Sequence, residues 1–154
     1  MLISVEGNFD NNEVHKLLVK HFIELRLVSP EGSAHVLDIA GLKDPSIKFW
    51  SLWEDEDLMG VGALKFINKS HGEFKSIRVN DKFRKKGNGI KVINYLINEA
   101  KKLHIEKLSI ETGSGKFFQP ARKLFEYCGF KESEPFAHYK KDINSCYMSM
   151  IIGN

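Results

Sequence analysis

The sequence predicts an α/β protein of the α+β type, with a mixed, mostly antiparallel central sheet of six to seven strands flanked by about four helices. Three observations lead to this prediction. The 154 residues suffice for one domain with a sizeable core but not for two ordinary ones, so we expect a single domain over residues 1–154. Runs with strand-like alternation are interspersed with runs whose apolar residues recur at helical spacing. A basic loop with two glycines joins one such strand to one such helix.

The first half of the chain is expected to form three strands and two helices. In chain order, a strand, two helices and two strands are predicted at residues 2–6, 11–27, 35–42, 47–53 and 58–67. The first helix is indicated by the capping-box spacing of Asp10 and Glu13, after which apolar residues recur every three to four positions. Gly60 and Gly62 fall on one face of the last strand, where they would admit a close neighbour or mark a bulge.

In the second half, strands and helices are expected to alternate before two final strands. They are predicted as a strand at 73–79, a helix after Gly89, a strand at 107–112, a helix at 118–128 and two strands within 130–154. Simple alternation in the strand 73–79 places on one face Glu73, Lys75, Ile77 and Val79, and on the other Phe74, Ser76 and Arg78. Because a helix separates the strands 73–79 and 107–112, we expect them to be parallel neighbours.

The loop Arg84-Lys85-Lys86-Gly87-Asn88-Gly89 carries the main functional signal. It precedes a helix whose first N–H groups lack intrahelical partners and lie at the positive end of the helix dipole. Glycines let an anion approach the backbone closely, and the basic side chains match a phosphate in charge. The sequence therefore predicts that this loop binds a pyrophosphate.

In its context, this loop resembles a known signature. An Arg-x-x-Gly-x-Gly loop between a strand with a carboxylate and an apolar helix is similar to the acyl-CoA-binding signature of the GNAT superfamily of N-acetyltransferases. The resemblance extends from about Val14 to the C-terminus and implies the GNAT acyl-CoA N-acyltransferase fold. Four further segments look like one bacterial branch of small uncharacterised acetyltransferases: residues 72–78, 111–114, 135–139 and 142–148.

The resemblance implies acetyl-CoA as cosubstrate and a set of residues that contact it. In the GNAT fold the strands 73–79 and 107–112 splay apart, and the gap holds the pantetheine arm. The implied contacts are Ile77, Val79, Arg84, Lys85, Lys86, Gly87, Asn88, Gly89, Ile90 and Phe118. A backbone N–H near Val79 would meet the thioester carbonyl. Phe118 would pack against the cofactor arm, with packing in the core as the alternative.

The acceptor pocket would be walled by the loop and second helix within residues 29–46, as the resemblance implies. Ser33 and His35, together with Asp38, are candidates for lining this pocket. A histidine on a helix is more often a packed or solvated residue than a catalytic one, so we assign His35 no catalytic role.

Glu73 is the candidate general base. It lies eleven residues before Arg84 and resembles in position the carboxylate base of histone-modifying members of the family. Most alkyl amines are protonated near pH 7, so acetyl transfer to an amine needs a proton acceptor. The alternative is that Glu73 forms a structural ion pair with Lys75 or Arg78.

The general acid is where the sequence departs from the family. Many members have a tyrosine in Leu-Tyr-Glu-x-x-Gly-Phe, and Phe125 occupies that position here. Tyr127 lies about 200° farther around the helix and cannot simply replace the missing hydroxyl. The alternatives that stay open are Tyr139, Tyr147, His138, a water molecule, or departure of the thiolate without help.

Composition excludes several other classes of function. A net charge of +3 gives no reason to expect a nucleic-acid partner. Cys128 and Cys146 lie far apart and no Cys–His set has metal-ligand spacing, so we expect reduced thiols and no metal. No run approaches the ~18 apolar residues of a membrane span, and no targeting segment is recognised, so we expect a cytoplasmic protein without a membrane partner. A homodimer is compatible with the sequence, which neither requires nor excludes it.

The sequence thus predicts an N-acetyltransferase that moves an acetyl group from acetyl-CoA to a primary amine of a small molecule or peptide by direct attack in a ternary complex. The alternative, made plausible by Phe125, is a non-catalytic acyl-CoA-binding sensor or interaction module.

Overall fold

The computed structural model describes residues 1–29, 38–84 and 86–153. Within these ranges the chain forms one seven-stranded sheet and four α-helices, which confirms the predicted fold class. The strands are β1 (Leu2–Glu6), β2 (Ile47–Glu54), β3 (Asp57–Phe66), β4 (His71–Val79), β5 (Lys107–Gly113), β6 (Lys131–Glu132) and β7 (Ser145–Ile151). The helices are α1 (Asn12–Val28), α2 (Ile39–Leu42), α3 (Asn88–Lys102) and α4 (Gln119–Tyr127). No helix in the described ranges has both the length and the apolar character needed to span a bilayer.

The strands lie in the order β1-β2-β3-β4-β5-β7-β6. Strands β4 and β5 are parallel, as expected for neighbours joined through α3, and the other pairs are antiparallel. Helices pack on both faces of this sheet. On one face, α3 and α4 bury an apolar cluster that includes Phe74, Leu96 and Phe125. On the other face, α1 and α2 bury a second cluster that includes Leu18 and Leu42.

The N-terminus of α1 is capped one residue later than the sequence predicts. The side chain of Asn11, not of Asp10, accepts hydrogen bonds from the backbone N–H groups of Glu13 at 2.9 Å and Val14 at 3.2 Å. The prediction of Asp10 as the cap is therefore wrong, because the adjacent Asn11 offers an equally short acceptor that satisfies two of the helix's unpaired donors.

The short second helix is also capped by its own sequence. Asp38, which was considered as a pocket-lining residue, accepts a hydrogen bond from the Gly41 N–H at 2.7 Å and caps α2. Ser33 and His35 lie outside the described residues.

A β-bulge interrupts β4. In the antiparallel pairing of β3 with β4, Val61 is opposite Arg78 and Ala63 is opposite Lys75, so two residues of β4 face one residue of β3. Ser76, inside this interval, has a φ of 54°, which is uncommon for a residue other than glycine. An extra residue of this kind bends the strand and shifts its alternation.

The bulge overturns the predicted distribution of side chains on the two faces of β4. Phe74, Ile77 and Val79 belong to the apolar cluster under α3 and α4. Glu73, Lys75 and Arg78 face the α1 side, since Lys75 and Arg78 pair with Ala63 and Val61 of the opposite cluster. The prediction that Glu73 shares a face with Ile77 and Val79 is wrong, because simple alternation takes no account of an inserted residue.

Strands β4 and β5 separate just before the bulge. Their pairing runs from His71 opposite Lys107 to Phe74 opposite Ile110 and then ends, although both strands continue. We call the space between residues 75–79 and residues 111–113 the β4–β5 split. Its position agrees with the splay that the family resemblance implies.

Strand β3 approaches its neighbours closely at Gly60 and Gly62, as expected from the two glycines. A Cβ atom at Gly60 would lie 2.6 Å from the backbone oxygen of Arg78, and one at Gly62 would lie 2.4 Å from the Cδ1 atom of Leu96 in α3. Helix α3 and the bulged strand β4 can therefore pack this close to β3 only because these two positions lack side chains.

We predict that Gly60→Ala lowers the free energy of unfolding by about 1–3 kcal/mol, because the methyl group would force β3 away from the β4 backbone. Urea denaturation measures this loss. Gly115→Ala is the matched control: Gly115 has a φ of −72°, and a Cβ there would meet no atom within 4 Å. Equal stability of the two variants would contradict the proposed close contact.

Candidate active site

The N-terminus of α3 forms an open cradle. Gly87 caps this helix in the left-handed conformation, with a φ of 76°, and a Cβ atom at this position would meet nothing within 4 Å. The N–H groups of the first helical turn have no intrahelical acceptors and can bind an anion. Arg84 and Lys86 are exposed beside this cradle, whereas Lys85 lies outside the described residues.

Asn88 and Gly89 are held by structural contacts. The Asn88 side chain is buried and donates a hydrogen bond from Nδ2 to the Phe83 carbonyl at 2.8 Å. A Cβ at Gly89 would lie 2.7 Å from Cδ2 of Leu124, so this glycine lets α4 pack against α3. The Asn88 side chain and the side-chain space at Gly89 thus serve structural contacts. The backbone N–H groups of both residues are left to bind an anion.

Asp81 links the cradle to α1. Its carboxylate forms ion pairs with the Arg84 Nε at 3.2 Å, the Arg78 Nη2 at 3.5 Å and the Lys20 ammonium group. Arg78 is buried and also donates to Glu24 of α1 at 3.0 Å. These contacts position the loop before α3 relative to the helix on the opposite face of the sheet.

His21 lies buried in the same region and is held neutral. Burial, followed by the positive charge of Arg78, lowers the pKa of His21 from 6.5 to about 4. In the described part of the chain, His21 Nδ1 and Arg78 Nε are buried atoms without a hydrogen-bond partner. Protonating His21 would add a second buried positive charge beside Arg78.

Three polar side chains meet where the β4–β5 split begins. Glu73 is only 2% exposed, and its Oε2 accepts hydrogen bonds from the Tyr139 hydroxyl at 2.6 Å and from the Lys75 ammonium at 3.2 Å. Lys75 also donates to the Tyr139 oxygen at 3.0 Å. Burial, then the charge of Glu73, raises the pKa of the Tyr139 phenol well above its ordinary value. We call Glu73, Lys75 and Tyr139 the buried triad.

The buried triad bears on both sequence hypotheses for Glu73. The expected ion pair exists with Lys75, whereas Arg78 pairs with Glu24 and Asp81 instead. The ion pair with Lys75 is compatible with proton transfer to Glu73. The same carboxylate also accepts a hydrogen bond from the half-buried phenol of Tyr139, which could deliver a proton. The structure thus brings Glu73 into contact with Tyr139, one of the three side chains that stay open as general acids.

The other aromatic candidates are placed differently. The Tyr147 hydroxyl donates to the backbone oxygen of Lys140 at 2.8 Å, and Tyr127 is 77% exposed. His138 stacks on Tyr139 with 5.1 Å between ring centroids. Phe125 is buried edge-on against Phe130, so the position at which the family resemblance implies a tyrosine belongs to the core.

Residues predicted to contact the cofactor are found on both sides of the β4–β5 split. Ile77 and Val79 lie on the β4 side and pack against the cluster under α3. Phe118 lies on the β5 side, where its ring covers Gly113 so closely that a Cβ there would meet the ring at 2.1 Å. Ile90 lies in the first turn of α3, after the cradle.

Sequence patterns do not reveal the contact between Tyr139 and Glu73. The two residues of this contact are 66 positions apart, and Tyr139 lies in the segment between β6 and β7 that has neither strand nor helix periodicity. On the face of the sheet that carries Glu73, further polar contacts surround the buried Ser109: His71 Nε2 lies 2.7 Å from Ser109 Oγ, which lies 2.7 Å from Ser149 Oγ. The one available signal was the presence of Tyr139 among the possible acids.

The chain is similar in sequence to a known protein family. A family model described as Acetyltransferase (GNAT) family matches residues 11–130. The chain is 44% identical over 137 residues to the Uncharacterized N-acetyltransferase YsnE of Bacillus subtilis (strain 168), with 89% of this chain and 91% of that protein covered.

Two solved structures resemble the fold. A Bacillus subtilis acetyltransferase in complex with CoA has a TM-score of 0.71 at 21% identity, with 99% of each chain covered. The spermidine N-acetyltransferase of Vibrio cholerae, in complex with CoA and spermine, has a TM-score of 0.70 at 19% identity, with 98% of this chain and 94% of that chain covered.

We predict that His21 makes stability fall as the pH decreases from about 6.5 to 4. In this window the unfolded chain binds a proton that the folded chain excludes, so the free energy of unfolding decreases by roughly 3 kcal/mol. His21→Gln should remove this contribution, and urea denaturation across the window measures it. His15→Gln, which changes an exposed histidine of the same helix, should keep the wild-type pH dependence. A His21→Gln variant with that same dependence would refute the assignment.

Proposed function

Because the chain belongs to the GNAT family of acetyltransferases, we propose that it transfers the acetyl group of acetyl-CoA directly to a primary amine of a small molecule or peptide. The observation that carries this proposal is the proximity of two features to the β4–β5 split. The anion cradle at the start of α3 follows the end of β4, and the buried triad lies where the split begins. Such an arrangement could bind the two ends of one elongated cosubstrate.

The cradle suits the diphosphate of CoA. An open left-handed glycine, the unpaired N–H groups of a helix N-terminus and the exposed cations Arg84 and Lys86 offer hydrogen bonds and charge to phosphate oxygens. Two solved structures of the same fold were determined in complex with CoA, which supports this assignment.

The β4–β5 split suits the pantetheine arm and the thioester. Asn80 donates its backbone N–H to the Met59 oxygen on β3, so the N–H of the preceding residue, Val79, points away from β3 and towards the split. This donor would bind the thioester carbonyl oxygen and stabilise the charge that develops on it. Ile77 would contribute main-chain contacts to the arm, and Phe118 would contact it from the β5 side.

Glu73 would act as the proton acceptor for the amine. It is the fully buried carboxylate nearest the start of the split, and Lys75 at 3.2 Å stabilises its charged form. The acceptor would approach from the α1 face, towards which Glu73 and Lys75 point. Glu111 follows the last β4–β5 pair on β5, so a second carboxylate at this rim favours a cationic amine.

The alternative function is an acyl-CoA-binding module without catalysis, favoured by the burial of Phe125 where relatives carry tyrosine. A screen for thiol release with a panel of amines separates the two functions. Thiol release that depends on an added amine would support acetyl transfer. Binding of acetyl-CoA without thiol release in the presence of any amine would support the non-catalytic binding module.

We predict that Lys86→Ala weakens acetyl-CoA binding about tenfold, because it removes a cation from the cradle. Arg84→Ala should have a similar effect, with an added loss of the ion pair to Asp81. Isothermal titration measures both affinities. Lys102→Ala is the matched control at the opposite end of α3, where the side chain is 71% exposed. If Lys86→Ala and Lys102→Ala bind acetyl-CoA equally well, the diphosphate does not bind at the cradle.

We predict that Glu73→Gln lowers kcat about 10²-fold while the Kd of acetyl-CoA stays within twofold, because the amide cannot accept the proton of the amine. Steady-state thiol release and titration with acetyl-CoA test the two parts separately. The variant leaves Lys75 buried without its carboxylate, so the melting temperature is measured alongside. An unchanged kcat in a folded variant would remove Glu73 as the base.

A further inference from the structure

Glu73 has little direct access to a bound amine. Its side chain is 2% exposed, and the oxygen Oε2 is covered by the Tyr139 hydroxyl at 2.6 Å and the Lys75 ammonium at 3.2 Å. Lys75 is itself only 9% exposed, whereas Tyr139 is half-buried. The half-buried phenol is therefore a route by which a proton from the α1 face could reach Oε2 of Glu73.

The phenol of Tyr139 has the hydrogen bonds that a proton relay needs. It donates to Glu73 and accepts from Lys75, so its oxygen already gives and receives hydrogen bonds at once. Because the pKa of Tyr139 is raised, the phenol stays protonated at physiological pH and does not act as a free phenolate base. A relay requires only that it accept one proton as it passes another on.

The ring of Tyr139 is fixed at the start of the split. Phe136 and Tyr147 hold it with ring centroids 5.1 Å and 5.8 Å away, and the Lys75 ammonium lies 5.7 Å from its centroid. Lys75 is the first β4 residue beyond the last β4–β5 pair. The hydroxyl is thus fixed where the β4–β5 split begins.

We infer that Tyr139 is a catalytic residue that relays a proton from the acceptor amine to Glu73. This inference rests on the proposed acetyl transfer. The ammonium of the acceptor gives one proton to the Tyr139 oxygen while the phenol proton passes to Glu73. The neutral amine then forms the C–N bond of the amide as the thioester C–S bond breaks, and its second proton leaves with the thiolate as thiol. Glu73 returns its proton to solvent through Tyr139.

Lys75 is a positioning residue in this relay. Its ammonium contacts both Glu73 and Tyr139, which orients the phenol towards the carboxylate and stabilises the negative charge before the proton arrives. It does not need to lose its own proton at any step.

The test compares two tyrosine variants of neighbouring rings. Tyr139→Phe keeps the aromatic packing and removes the hydroxyl that contacts Glu73. Tyr147→Phe is the matched control, because the Tyr147 hydroxyl donates to a backbone oxygen of the same segment and not to the buried triad. We expect kcat for thiol release to fall about 10²-fold in Tyr139→Phe and less than threefold in Tyr147→Phe, with acetyl-CoA affinity unchanged in both.

The double variant Glu73→Gln/Tyr139→Phe separates a relay from independent structural effects. When two residues take part in the same proton transfer, removing the second causes no further loss once the first is gone. The kcat of the double variant should therefore equal that of Glu73→Gln alone. Losses that multiply, or a Tyr139→Phe kcat within threefold of Tyr147→Phe, would overturn the relay and leave acetyl transfer intact. A wild-type protein that releases no thiol with any amine would overturn the proposed function and the relay with it.

Discussion

The inserted residue in β4 is the constraint on which the site depends. Ser76 occupies a left-handed conformation inside the interval where two residues of β4 oppose one of β3. The strand bends there, and its pairing with β5 has already ended at Phe74. The same insertion directs Arg78 to α1 and Ile77 to the core under α3. One backbone irregularity beside the split thus decides which side chains face each side of the sheet.

The two ends of the proposed site use electrostatics in different ways. At the cradle, Arg84 and Lys86 are exposed, so their attraction to a phosphate is screened by solvent and their contribution is mainly to binding. In the buried triad, Glu73 and Lys75 are shielded from water, so small displacements of a proton change their interaction strongly. Asp81 acts at the exposed, cradle end of the site, where its carboxylate offsets the charge of Arg84 and links the loop before α3 to Lys20 of α1.

The sequence predicts what local pattern encodes. Strands, helices and the parallel β4–β5 pair follow from periodicity and chain order, and the open N-terminus of α3 follows from a glycine-containing loop that leads into a helix. The assignment of side chains to the two faces of β4 was wrong, because no residue type in the strand indicates a bulge at Ser76. The helix cap shifted to Asn11 because two adjacent polar residues compete for the same donors. The contact between Tyr139 and Glu73 depends on how an irregular segment packs, which periodicity cannot encode.

Because Phe125 is buried and has no hydroxyl, a hydroxyl in the proposed reaction would have to come from elsewhere. Helix α4 turns Phe125 into the cluster under α3, where a tyrosine hydroxyl would need a polar partner within an apolar core. The buried triad lies on the opposite face of the sheet, where the segment between β6 and β7 contributes Tyr139. A phenol on that face is beside the carboxylate that would accept the proton of the amine. In the proposed reaction the aromatic hydroxyl would therefore serve deprotonation of the acceptor, and the thiolate, with a pKa of roughly 8.5, would leave without an acid from α4.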